Sequence, residues 1–142
     1  MATHFLKMNE GWNAEPNSPN PQIECSGATV LLSFSMNAFE YPEFNEEDIG
    51  QLTFTNCWRY RLGSTNDEGW WKGQCRFSKL APKWGQFYEI TGDVLLSKGP
   101  RDWKAIGRAR DDARHFLFYF RDSTFECSAD GWEMKVIKSN GS

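Results

Sequence analysis

Alternation of apolar and polar positions runs through most of this chain and predicts strands. Between residues 51 and 62, Leu52, Phe54, Trp58, Tyr60 and Leu62 share one face, and Thr53, Thr55, Cys57, Arg59 and Arg61 share the other. Trp71, Gly73, Cys75 and Phe77 alternate in the same way with Lys72, Gln74 and Arg76. The intervening residues 63–69 are rich in Gly, Asn, Asp and Ser, which supply turns, so residues 51–78 read as the longest hairpin of the protein.

The same pattern predicts strands elsewhere. Residues 5–12 alternate, and in residues 28–37 Val30, Leu32, Phe34 and Met36 line one face. Residues 84–91 and 94–96 add two more strands. Phe116, Phe118 and Phe120 lead into a turn at Arg121–Ser123, and Phe125, Cys127 and Ala129 return from it as a second hairpin. Asp130-Gly131 then turns the chain into Trp132, Met134 and Val136. Residues 13–21 hold three prolines, which cannot donate to a ladder, and read as a rigid surface crossing. Residues 38–50 form a loop whose Phe39, Tyr41 and Phe44 are expected to lie as a lid over an edge of the core. Only residues 100–114 suggest a helix: Pro100 at its start, Asp102 in its first turn, and Trp103, Ile106, Arg110 and Ala113 on one face. Gly107 weakens that helix by about 1 kcal/mol relative to Ala.

The expected fold is therefore mainly β: a single domain over residues 1–142, built as an antiparallel β-sandwich or barrel of about eight strands with at most one short helix. Length supports one domain, since 142 residues suffice for one substantial core. Seven Trp and eleven Phe give the chain enough apolar ring surface to offset its ordering entropy, which excludes a disordered protein. The first residues lack the basic start and apolar middle of a secretory signal, and the chain has no long apolar run, so a soluble cytoplasmic protein is expected.

Four cysteines, Cys25, Cys57, Cys75 and Cys127, stand far apart without a Cys-x-x-Cys pair, which argues against a thiolate metal site. They are expected to be reduced, with Cys75 and Cys127 buried in step with Phe77 and Phe125. His4 and His115 are the only histidines, and no nucleophile elbow, phosphate loop or dinucleotide fingerprint is present. An enzyme is thus the third choice of function, and no cofactor is implied. A Cys–His pair through His115 is weighed against a strand-end histidine with core thiols, and the latter is preferred. Asn66, Asp67, Glu68 and Gly69 could hold a hard cation, but they also make an ordinary hairpin turn, and no metal is expected there.

Charge changes the picture more. The net charge of −3 divides into −7 for residues 1–50, +6 for residues 51–110 and −2 for the remainder. If the hairpin buries Leu52, Phe54, Trp58 and Tyr60, Leu62 faces Trp71, and Arg61, Arg59 and Cys57 lie opposite Lys72, Gln74 and Arg76. Arg59, Arg61, Lys72 and Arg76 then gather on an outer face. They are answered either by the protein's own acids, from Glu40 to Asp48 or Asp111-Asp112, or by an external anion; internal pairing is preferred. Trp58 and Trp71 are expected inside, and Trp70 is the candidate exposed anchor.

Two functions follow. The first is a non-catalytic binding domain with a protein partner, its surface at Asn66, Asp67, Glu68 and Trp70. In concrete form this is a small acidic cytosolic inhibitor or immunity-type protein that meets a basic toxin through its acidic N-terminal third. The alternative is a small-molecule-binding β-barrel with a small anionic ligand held by Arg59, Arg61, Lys72 or Arg76. Neither nucleic acid nor a membrane is expected as partner.

Overall fold

A computed structural model describes residues 4–64, 85–92, 103–110 and 112–138. They form ten strands and no helix, in two antiparallel sheets that do not close into a barrel. In chain order these are β1 (His4–Lys7), β2 (Gln22–Ser26), β3 (Thr29–Ser35), β4 (Ile49–Thr55), β5 (Arg59–Ser64), β6 (Phe87–Thr91), β7 (Lys104–Ala105), β8 (Arg114–Tyr119), β9 (Ser123–Ala129) and β10 (Gly131–Ile137). The larger sheet has the order β1-β6-β8-β9-β5-β7 and the smaller β10-β4-β3-β2. The expected mainly-β, sandwich-like fold is what the chain adopts.

The smaller sheet follows directly from alternation. Val30, Leu32 and Phe34 of β3 pair with Phe54, Leu52 and Gly50 of β4, and all six are buried, whereas the positions between them are partly exposed. Gly50 is a packing requirement: a Cβ there would lie 2.6 Å from the Met36 sulfur and 2.7 Å from the Phe34 ring. The larger sheet differs, because β8 and β9 are buried on both faces. Phe116, Phe118, Phe125 and Cys127 join the core between the sheets, while His115, Leu117, Tyr119, Glu126 and Ser128 fill the opposite face.

Aromatic rings fill the space between the sheets. Trp12 stacks on Phe34 at 5.9 Å and touches Phe87, Phe118 and Trp132. Phe118 stacks on Phe120 at 4.4 Å, and Phe54 packs against Phe116 and Phe125 at 5.5 and 5.3 Å. Such ring pairs contribute roughly 0.5–1.5 kcal/mol each beyond their area burial.

Three expectations need correction. Residues 51–62 are not one strand: β4 belongs to the smaller sheet and β5 to the larger. The chain crosses between them at Asn56, whose φ of 49° is left-handed; the next two amides bond elsewhere, Cys57 N to Ala28 O at 2.7 Å and Trp58 N to Ser128 O at 3.0 Å. Within β5, Arg59 lies between Ser128 and Ala105, and Gln74, its expected partner, lies outside the described residues, as does the rest of the predicted hairpin partner, residues 71–78. Exposure in β5 also departs from expectation: Arg61, on the face away from the core between the sheets, is only 9% exposed, while Leu62, opposite Phe125, is 37% exposed.

The expected helix over residues 100–114 is also absent where described. Lys104–Ala105 pairs with Tyr60 and Arg59, and the amides of Ile106 and Gly107 donate to Trp58 O at 2.8 and 3.1 Å. Gly107 lacks the Cβ that would sit 3.2 Å from Trp58 Cα, so the chain can run this close to β5. Finally, β2 is an additional edge strand, paired along β3. The strand foreseen at residues 94–96 falls outside the described residues.

Candidate functional site

The loop between β3 and β4 carries the densest acidic charge on a tightly turned backbone. Asn37, buried at the end of β3, accepts the amides of Phe39 and Glu40 on its Oδ1, each at 3.1 Å. Phe44 N donates to Tyr41 O at 3.1 Å, and Asp48 N to Asn45 O at 3.0 Å. The far end is held by Asp48, fully buried, which accepts Asn45 N at 2.9 Å and the Lys138 ammonium at 3.2 Å. Lys138 also lies over the Phe44 ring at 5.2 Å.

This pinning settles which of the three loop aromatics covers the core. Phe44 packs against it; Tyr41 is half-buried; Phe39 is 72% exposed and is no part of a lid. Glu40, Glu43, Glu46 and Glu47 stand exposed along the same loop. Burial, then the charge and hydrogen bond of Glu40, raise the Tyr41 phenol above its ordinary pKa.

Asn37 and Glu40 of this loop also line a cleft of about 470 Å³, built from four separate segments of chain. Glu15 enters from the proline-rich crossing, Asn37 and Glu40 from the acidic loop, Gln86 from the approach to β6, and Tyr119 to Arg121 from the end of β8. Its walls are hydrogen-bonded together. Asn13 donates to Gly85 O at 2.7 Å and accepts Asn37 N on its backbone carbonyl at 2.9 Å; Asn9 donates to Gln86 Oε1 at 2.9 Å. The Glu15 carboxylate accepts the backbone amides of Asn17, at 3.0 Å, and Ser18. Arg121 donates to Asn17 O at 3.2 Å.

The cations singled out from the sequence lie elsewhere. Arg59 and Arg61 face the second buried side of the larger sheet. Arg61 pairs with fully buried Glu126 at 3.1 Å, the residue directly across from it on β9. The other Glu126 oxygen meets His115 Nε2 at 2.9 Å, and His115 Nδ1 meets Ser128 Oγ at 3.1 Å. Arg59 donates to the same hydroxyl at 3.1 Å, with its guanidinium 4.6 and 4.1 Å from the Trp58 and Trp103 rings. Arg61 is thus answered internally, by Glu126. Lys72, Arg76, Asn66, Asp67, Glu68 and Trp70 lie outside the described residues, as does Cys75.

Cys25 is an exposed free thiol, and Cys57 and Cys127 are buried free thiols. A hydrogen bond from Cys127 lowers the Cys57 pKa, while burial pushes Cys127 well up. Among the described residues no three His, Cys, Asp or Glu side chains converge as metal ligands. Among the described residues no helix is long and apolar enough to cross a membrane. The acidic loop was legible as charge, but the cleft was not: its segments are separated by tens of residues and share no pattern. Comparison with protein-family models, curated proteins and solved structures finds no match.

Proposed function

We propose that the protein is a non-catalytic binding domain that takes a basic protein partner on the acidic loop between β3 and β4, in the manner of a small inhibitor or immunity-type protein. The observation that carries this is Phe39: a large ring left 72% exposed on a loop whose backbone is held at both ends and which bears four exposed glutamates. Fully burying such a ring is worth about 1.5–3 kcal/mol. An exposed aromatic anchor on a loop of exposed acids matches the make-up of interface hot spots, with the charges speeding encounter. Preference over an anion carrier comes from the aromatic packing between the sheets and from the engagement of Arg61 by Glu126.

The test is affinity isolation of the partner from the native host, followed by calorimetry of the purified pair. The partner should be basic, Phe39→Ala should weaken binding at least tenfold, and Glu43→Lys with Glu46→Lys should slow association at low salt. A recovered partner whose affinity ignores all three changes would refute this surface.

A further inference from the structure

Resting on the partner surface proposed above, we infer that the cleft lined by Glu15 and by Glu40 of the acidic loop receives an arginine side chain of the basic partner. Its volume of about 470 Å³ lies within the range of roughly 300–1,000 Å³ typical of ligand pockets, which leaves room for one extended side chain. Two carboxylates line it, and each is held in place. Glu15 is fixed by the backbone amides of Asn17 and Ser18, and Glu40 by the Asn37 side-chain amide at 3.4 Å. Fixed acceptors reduce the ordering cost of binding.

The chemistry favours a guanidinium over an ammonium. A planar group with five donors can address two carboxylates that enter from different segments, whereas an ammonium acts as a point charge. Among the described residues that line it, Arg121 is the one cation. It donates to Asn17 O and lies 3.9 Å from Asp122, so its charge is partly answered at the wall. The described lining thus carries two acids, Glu15 and Glu40, against one base, and a cation from the partner would complete it.

The probes are capped Gly-Arg-Gly and Gly-Lys-Gly peptides and agmatine, titrated into the 15N-labelled full chain. Saturable shifts of the Gln86, Phe120 and Arg121 amides are expected with the arginine peptide, at least threefold weaker with the lysine peptide, and lost in Glu15→Gln, Glu40→Gln. Glutamine keeps an acceptor oxygen for the amides of Asn17 and Ser18, so the fold is retained; an unchanged amide spectrum away from the cleft checks this. Absence of saturable shifts, an undiminished response in the double variant, or tighter binding of agmatine than of the arginine peptide would each overturn the inference. A partner that depends on Phe39 but not on Glu15 and Glu40 would sink the cleft alone. Peptide binding in the cleft with a partner indifferent to Phe39 would instead sink the loop surface.

Discussion

Replacing Arg61 with methionine should cost far more than its place among the sequence's surface-like cations suggests. The substitution keeps much of the apolar stem but leaves Glu126, fully buried, without the guanidinium 3.1 Å from its Oε2. Removing one partner of a buried ion pair typically destabilises by about 3–5 kcal/mol, because the remaining charge keeps its desolvation penalty. His115, 2.9 Å from the other oxygen, softens the loss, which places the expectation near the lower end. At roughly 3 °C per kcal/mol for a domain of this length, the melting temperature should fall by about 10 °C. Raising salt from about 0.1 to about 1 M shortens screening from about 10 to about 3 Å, yet the difference between parent and variant should hardly change, since the pair is shielded from solvent. Arg59→Met is the control. Its contacts include a hydrogen bond to Ser128 and the Trp58 and Trp103 rings at a partly exposed position, and losing these costs about 1–2 kcal/mol. An Arg61→Met protein that melts within about 3 °C of the parent, or no lower than Arg59→Met, would refute the network as a buried ion pair.

Three further outcomes follow from the packing and the titrating groups. Gly50→Ala should destabilise by about 1–3 kcal/mol in urea melts, since its Cβ would press on the buried Phe34 ring and the Met36 sulfur; a neutral effect would mean that both side chains swing aside. Thiol labelling with mass mapping should modify Cys25 rapidly and Cys57 and Cys127 only on unfolding, and rapid native labelling of Cys127 would contradict its burial. The Asp130 carboxyl, held below its ordinary value near 3.8 first by the Asn56 amide and then by Arg110, binds its proton less readily folded than unfolded. Its contribution to stability is therefore present above the unfolded pKa and lost as pH falls through the lower folded value. Asp130→Asn should flatten that acid limb of the stability profile, and an unchanged limb would show the contact to be without effect.

How legible the fold was depends on what each strand faces. β3 and the β8–β9 hairpin were readable because their inward positions keep period two without interruption. The split of residues 51–62 was hidden because both halves turn even-numbered residues inward, Leu52 and Phe54 before the crossing and Tyr60 after it, so alternation passes through the break. Only Asn56, a residue that tolerates left-handed φ, marked the corner. The helix reading failed because three periodic apolar positions carried less weight than backbone bonds to Trp58. Glu126 and His115 were readable as out-of-place polar residues in apolar strands, but their link to Arg61 required the β5–β9 register, which no local pattern encodes. In the candidate site, charge revealed the acidic loop, whereas the exposure of Phe39 and the cleft arose only from tertiary placement.

The corner where the chain leaves one sheet for the other acts as a register clamp. Residues on both passages are tied there: Asp130 N to Thr55 O at 2.9 Å, the Asn56 amide to Asp130 at 2.8 Å, and Arg110 to Asn56 O and to Asp130, each at 2.6 Å. One passage leads from β4 to β5 and the other from β9 to β10, so each sheet inherits its alignment from the other through this knot of bonds. A single residue inserted between Thr55 and Arg59 would have to be absorbed at the corner, or it would turn Tyr60 away from the core and bring Arg61 into it. The two sheets therefore cannot mature as separate folding units. Residues more than seventy positions apart must meet before either ladder is in its final phase, which makes assembly a single cooperative event of high contact order.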